Sequence, residues 1–236
     1  MDFRDRAIVV TGAAGNLGRA VATELAGRGA ALVCVDFAAA GLAALEEALP
    51  GAKIASIAGL DLTKIEDAQQ MAARAREKFG RIDGLVNTIG GFRMAPVGAE
   101  ALKDWDFLVN LNARAVLATS AAVLPAMVER DYGRIVHIAA GAGHRGAAQL
   151  AVYSAAKAAV MRIVESIAEE HRDTGITANC ILPGTIDTPQ NRAAMPDADT
   201  KSWTPPGDIA KAIAFLLSHE AGAITGAAIP VTQRIR

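Results

Sequence analysis

Ala7-Ile8-Val9-Val10-Thr11-Gly12-Ala13-Ala14-Gly15-Asn16-Leu17-Gly18 is the stretch that decides how this chain folds. A β-branched run passes straight into a glycine-spaced turn, and an Ala-rich helical segment, Leu17–Gly27, follows at once. Glycine at these positions permits a tight turn and lets backbone N–H groups approach a pyrophosphate at the helix N-terminus. A strand-to-helix turn often wants glycine for its own geometry, so the pattern gains weight only from what surrounds it.

Working outward, the same alternation repeats. Short apolar runs at Ala31–Val35, Ile54–Ile57, Gly84–Val86, Arg134–Ile138, Thr177–Leu182 and Ala228–Val231 are separated by helical patterns. Those patterns fall at Leu42–Ala48, Ile65–Phe79, Trp105–Arg130, Tyr153–His171 and Gly207–Ser218. Strands alternating with helices predict βαβ units and a parallel sheet, and continuous apolar runs predict strands buried on both faces. The expected fold is α/β, a doubly wound Rossmann-like parallel sheet with helices on both faces, as one domain over residues 1–236. After Leu182 the rhythm fails: PGTIDTPQNRAAMPDADTKSWTPP is proline-rich and aperiodic. A long irregular loop in a compact domain is usually functional.

Composition narrows the function classes. Hydrophobic residues make up 52% of the chain against 21% charged, which supplies a large core and argues against disorder. A net charge of −1 with no basic run gives no electrostatic footprint for nucleic acid or an anionic membrane, so small molecules are the expected partners. The opening MDFRDR lacks the apolar region of a signal peptide, which predicts a cytoplasmic protein. The apolar stretch Ala113–Val128 is shorter than a membrane span and contains Arg114 and Pro125, so it reads as a core or interface helix. Cys34 and Cys180 sit inside strand runs and read as buried thiols, and no Cys/His cluster suggests a metal. His137, inside a strand, reads as a core or strand-end histidine.

Two constellations carry chemistry. The second strand ends in Asp36, whose carboxylate would accept hydrogen bonds from ribose hydroxyls and repel a 2′-phosphate, although Arg19 and Arg28 lie close enough in sequence to offset that repulsion. This favours NAD(H), with NADP(H) left open. Tyr153-Ser154-Ala155-Ala156-Lys157 then places a phenol and an ammonium on one helix face. A phenol with an ordinary pKa near 10 needs a nearby cation to exchange protons at neutral pH. On its own such a pair is common on helix surfaces; here it follows a strand, in a chain with only two tyrosines.

With these motifs together the chain resembles the short-chain dehydrogenase/reductase family over essentially its whole length. The resemblance implies a cofactor turn of Gly12, Gly15, Asn16, Leu17 and Gly18, although the spacing GxxGxxG is that of the family's extended members. It implies adenine contacts from Asp61 and Leu62, a sheet brace at Asn87-Thr88-Ile89-Gly90, and a nicotinamide edge formed by Pro183, Gly184 and Thr188. Asn112 resembles the family's catalytic asparagine, which holds a relay water near Lys157. Tyr153 and Lys157 would serve both catalysis and the cofactor ribose. The Ala-rich helices Trp105–Arg130 and Tyr153–His171 resemble the family's association faces, implying a homodimer or homotetramer.

One position departs. Thirteen residues before Tyr153, where the family carries a catalytic serine, stands Ala140. Dihydropteridine reductases share that alanine, and their long loop and Gly-Gly-aromatic turn resemble Leu182–Pro205 and Gly90-Gly91-Phe92. The expected reaction is therefore hydride transfer to a small electron-poor substrate such as a quinonoid dihydropterin, with Phe92, His144, Met195 and Trp203 around it. The alternatives are a carbonyl reductase for a ketone, quinone or 3-oxoacyl thioester, and a catalytically silent NAD(H)-binding protein.

Overall fold

The computed structural model describes residues 1–232. The first strand, β1 (Ala7–Thr11), runs into the glycine turn and on into α1 (Asn16–Ala26), as the opening motif demands. The alternation continues through β2 (Ala31–Asp36), α2 (Ala39–Ala48), β3 (Lys53–Ala58), α3 (Ile65–Phe79) and β4 (Gly84–Asn87). After α4 (Ala99–Lys103), α5 (Trp105–Val109) and α6 (Ala115–Glu129) come β5 (Gly133–Ile138), α7 (Ala151–Glu170) and β6 (Ile176–Pro183). Last are α8 (Pro189–Ala194), α9 (Pro206–Leu217) and β7 (Ala228–Val231).

All pairings are parallel, in the order β3-β2-β1-β4-β5-β6-β7. One apolar layer packs α1, α2 and α9 on one face through Val21, Leu42 and Ile213. The other packs α3, α6 and α7 on the opposite face through Met71, Val123 and Val164. Because β1 pairs with β2 on one side and β4 on the other, the order in which strands are added reverses between β1 and β4, which opens a crevice at the carboxyl ends of those strands. The central strands are buried on both faces; β3, at one edge, is largely accessible. Pro230 sits in β7 at the other edge, where a missing N–H costs no ladder bond.

Several expectations need correction. The helix expected at Trp105–Arg130 is divided by a π turn, Asn110–Arg114. Neither Arg114 nor Pro125 stops it, because Val123 and Met127 on either side of Pro125 are locked in the core. The resulting 25-residue helical run Trp105–Glu129 is long and apolar enough to cross a membrane, more than Ala113–Val128 suggests; half of its apolar window is buried inside the fold, the position of a core helix. Helix α7 begins two residues before Tyr153, and α4 has no counterpart in the periodicity. The irregular loop holds α8, which starts because Thr188 caps Asn191 N and Pro189 suits the first helical position.

Candidate active site

The glycine turn is built as the sequence requires. Gly12 is left-handed (φ +67°), and a Cβ on Gly18 would lie 2.0 Å from the Gly12 carbonyl oxygen, with backbone on both sides of the clash. Replacing Gly18 by Ala is therefore expected to cost about 1–3 kcal/mol and several degrees of Tm, with at least a tenfold loss of NADH affinity. Gly207→Ala is the control, since nothing lies within 4 Å of its Cβ position. Calorimetric melting and NADH titration of both variants check this; equal behaviour would remove the steric argument.

Asp36 reaches back to this turn. Its carboxylate accepts from Ala14 N and Ala38 N, both at 3.0 Å, so it braces the turn and stands at the crevice. The two arginines that could answer a 2′-phosphate are committed elsewhere. Arg19 donates to Ala14 O and Gly41 O, and Arg28 forks onto Glu24.

The cleft above β1 and β4 measures about 450 Å³ and brings together Gly12, Gly15, Asp36, Asp61, Leu62 and Gly90 from the expected set. Asp61 is held below the usual carboxylate range by the Thr63 hydroxyl and N–H and by Lys64. The cleft adds Val35, Phe37, Leu60, Thr88 and Ile89, which the sequence reading did not single out as binding residues. Phe37, which lines the cleft beside Asp36, is 76% exposed, so its ring is available to stack on a flat base. Its only sequence signal is its place immediately after the strand-end aspartate. Asn16, Leu17, Gly18, Asn87, Pro183, Gly184 and Thr188 do not line this cleft. Asn16 instead donates to Gln190 at 2.6 Å, tying the turn to α8, and Asn87 accepts from Thr11 and Ile89 N inside the sheet.

Past Gly90 stand Tyr153, Lys157 and Asn112. Lys157 is buried and donates to Ile138 O at 2.8 Å, with Nζ 5.9 Å from the Tyr153 ring centroid. Burial pushes the Lys157 ammonium down to about 8 and the Tyr153 phenol up to about 12. The lowering of the phenol expected from Lys157 is not seen in this arrangement: desolvation by burial sets the direction, upward, and keeps the phenol protonated. Asn112 donates to Gly91 O and Leu108 O and accepts from Gly91 N, which is the reason for the π turn: the wider turn lets the side-chain amide take the Leu108 carbonyl. Asn112 Oδ1 and Lys157 Nζ converge on Gly90, where a Cβ would sit 2.9 and 3.4 Å from them.

The expected substrate residues separate. Phe92 meets Tyr153 edge-on at 4.9 Å, and Met195 is exposed at the end of α8. His144 is exposed after a 3₁₀ turn at Gly141–Gly143. Trp203 is only 6% exposed and offers a ligand little surface. Ala140, two residues beyond β5, is extended and opens that 3₁₀ turn. Thr188, though its oxygen caps α8, keeps its hydroxyl proton to donate.

Comparison with known proteins agrees with this geometry. The family model for short chain dehydrogenases matches residues 6–199. The 3-oxoacyl-acyl-carrier-protein reductase FabG of Escherichia coli is 34% identical over 239 residues, covering 98% of this chain and 97% of that protein. Levodione reductase of Leifsonia aquatica is 31% identical over 250 residues, covering 97% of this chain and 93% of that protein. A solved structure of NAD+-bound xylitol dehydrogenase superposes with a TM-score of 0.90 at 25% identity, covering 98% of this chain and 99% of that one. The chain belongs to the short-chain dehydrogenase/reductase family and is an NAD(P)-dependent oxidoreductase.

Proposed function

We propose that this enzyme is an NADH-dependent carbonyl reductase whose substrates carry an electron-poor C=O, such as a diketone, a quinone or a 3-oxoacyl thioester. The observation that carries it is the pairing of a protonated Tyr153 over Lys157 with relatives named for 3-oxoacyl and levodione reduction, which favour this reading over a dihydropterin reductase. The electron-poor requirement comes from Ala140, which leaves the carbonyl without the usual second donor. The chain's residues fit a dinucleotide: a turn where a Cβ would fill the cradle at Gly12 and Gly18, Asp36 for the ribose, and Phe37 beside a base-sized cleft. Bound there, NADH supplies the hydride.

The protein's own part is positioning and proton supply. Tyr153 would bind the carbonyl oxygen and give it a proton, Lys157 would hold the cofactor ribose and compensate the developing phenolate, and Thr188 with Pro183 and Gly184 would hold the carboxamide. Asn112 fixes the wall beside Lys157 through Gly91. Phe92 and Met195 border the substrate. A panel of diketones, quinones, 3-oxoacyl thioesters and quinonoid dihydropterin, read as NADH consumption, tests the assignment. Turnover confined to the dihydropterin would overturn it.

NADH preference follows from Asp36 and from the two committed arginines. In Asp36→Ser the like-charge repulsion goes, and the ratio of NADPH to NADH affinity is expected to rise about tenfold or more. Equal binding of both cofactors by the unaltered protein would remove this role for Asp36. The pH dependence also has a definite sign. Reduction needs Lys157 as ammonium, a form lost as pH rises through about 8, whereas Tyr153 at about 12 stays protonated throughout. Saturated turnover is therefore expected to be level near neutrality and to fall above about pH 8, as stopped-flow rates across pH 6–10 would report.

We also assign a cytoplasmic homo-oligomer. A groove between α6 and α7 lined by Leu117, Leu124, Ile163 and Ile167 supports a second copy there, and light scattering that finds only monomer would refute it.

A further inference from the structure

A polar row crosses the centre of the sheet on the α6 and α7 side. The register pairs Thr11 with Asn87, Asn87 with His137, and His137 with Cys180. Two atoms in this row are buried and have no protein partner: Asn87 Nδ2 and His137 Nδ1. The row nevertheless fixes its own chemistry. Asn87 Oδ1 accepts from Thr11 Oγ1 at 2.6 Å and from Ile89 N at 3.0 Å, so the amide cannot be flipped and Nδ2 is a committed donor. Ser120 Oγ lies 2.8 Å from Val116 O and 2.9 Å from His137 Nε2; with its single proton given to the Val116 carbonyl, Nε2 carries the ring hydrogen. His137 Nδ1 is then an unprotonated acceptor, and the unpaired Asn87 donor stands at the paired position of the adjacent strand.

Lys157 needs what this row offers. It is buried, has three N–H donors, and among the described residues its hydrogen-bond acceptor is Ile138 O, next to His137. No described carboxylate pairs with it. The groups facing His137 are Asn87 from β4, the Cys180 thiol from β6, Ser120 from α6 and Lys157 from α7. Cys180 is pushed up to about 12 by burial, so it brings no negative charge.

We propose that His137 is a positioning residue for Lys157: as the neutral Nε2–H tautomer it presents Nδ1 to an internal water that also accepts from Asn87 Nδ2 and from the Lys157 ammonium. Such a water makes three hydrogen bonds, the usual number for a buried one, and satisfies both orphaned atoms at once. The neutral ring supplies an acceptor without a competing charge, which an imidazolium beside Lys157 would introduce. Burial and the Lys157 charge push His137 down to about 3, which holds the ring in this state across the working range.

The assignment rests on the proposed role of Lys157, and its test reads ionisation rather than turnover, so the two can fail separately. The chain has four histidines, few enough for ¹⁵N spectra of the whole protein to resolve each tautomer. His137 is expected to show the neutral Nε2–H pattern unchanged from pH 5 to 9. The Lys157 side-chain resonance, identified by its loss in Lys157→Met, is expected to titrate on the order of one pH unit lower in His137→Leu. In His137→Asn, whose amide oxygen stands in the place of Nδ1 and gives the water its acceptor, it returns towards the unaltered value. An Nδ1–H tautomer, a charged ring near neutral pH, or an unchanged Lys157 titration in His137→Leu would overturn the proposal. If His137→Leu fails to fold, the tautomer in the unaltered protein decides it alone.

Discussion

Tyr153→Phe is expected to lose about 10²–10⁴-fold in kcat while NADH affinity stays within about a factor of two. The substitution removes one hydroxyl and keeps the ring that meets Phe92 edge-on, so packing changes little and the loss reports proton supply. Lys157→Met is expected to lose turnover on a similar scale, but its NADH affinity should fall as well, because the ammonium is assigned to the ribose. It also leaves Ile138 O without its side-chain donor in a buried place, so a lower Tm should accompany it. Rapid-mixing rates and NADH titrations on the two variants separate these roles. Full activity in Tyr153→Phe would take the phenol out of the chemistry, and NADH binding equal in both would take Lys157 off the ribose.

That separation depends on a feature visible only in three dimensions. Sequence spacing puts Tyr153 and Lys157 on one helix face, and the structure keeps them there, but the spacing does not say how deeply each is buried. Burial decides their ionisation. It holds the phenol protonated and brings the ammonium near its titration point, the reverse of the coupling that an exposed pair would show.

Legibility elsewhere followed the same division between local and tertiary causes. The glycine turn, the strand-end Asp36 and the order of strands and helices come from local geometry, and all are where the sequence puts them. The π turn at Asn110–Arg114 was hidden because its residues continue an apolar helical pattern; its cause is the Asn112 amide, which takes the Leu108 carbonyl while also bonding Gly91, 21 residues earlier in the chain. Arg19 and Arg28 looked available to a phosphate by proximity, but partners on α1, the glycine turn and the start of α2 take them. Phe37 and Trp203 show the converse error. An aromatic in the irregular loop attracted a binding role and is buried, while one in an unremarked position after β2 stands open at the cleft. Neither exposure has a periodic signature, since both residues lie outside regular elements.

Ala140 is where the sequence was most informative, and it supports the second large prediction. Ala140 lies two residues beyond β5 in extended backbone and opens the 3₁₀ turn through the bond from Gly143 N to Ala140 O, a geometry that serine adopts equally well. Ala140→Ser should therefore fold normally and place one hydroxyl beside the reacting carbonyl. A donor of this kind that acts on the developing oxyanion is worth about 10²–10³-fold in kcat. Its effect scales with how much polarisation the substrate needs. For a plain ketone the gain should approach that range, because Tyr153 is otherwise the sole donor assigned to the oxygen. For a quinone or diketone, whose second carbonyl already withdraws electrons, the gain should be less than about tenfold, since less charge must be stabilised by the protein. Steady-state rates for both substrate types in both forms give four numbers, and the ratio of gains carries the inference. Equal gains would mean that Ala140 does not set the electron-poor requirement. Rapid reduction of plain ketones by the unaltered enzyme would mean that another group already fills the serine's role, and exposed His144, just past the turn that Ala140 opens, is then the first residue to replace.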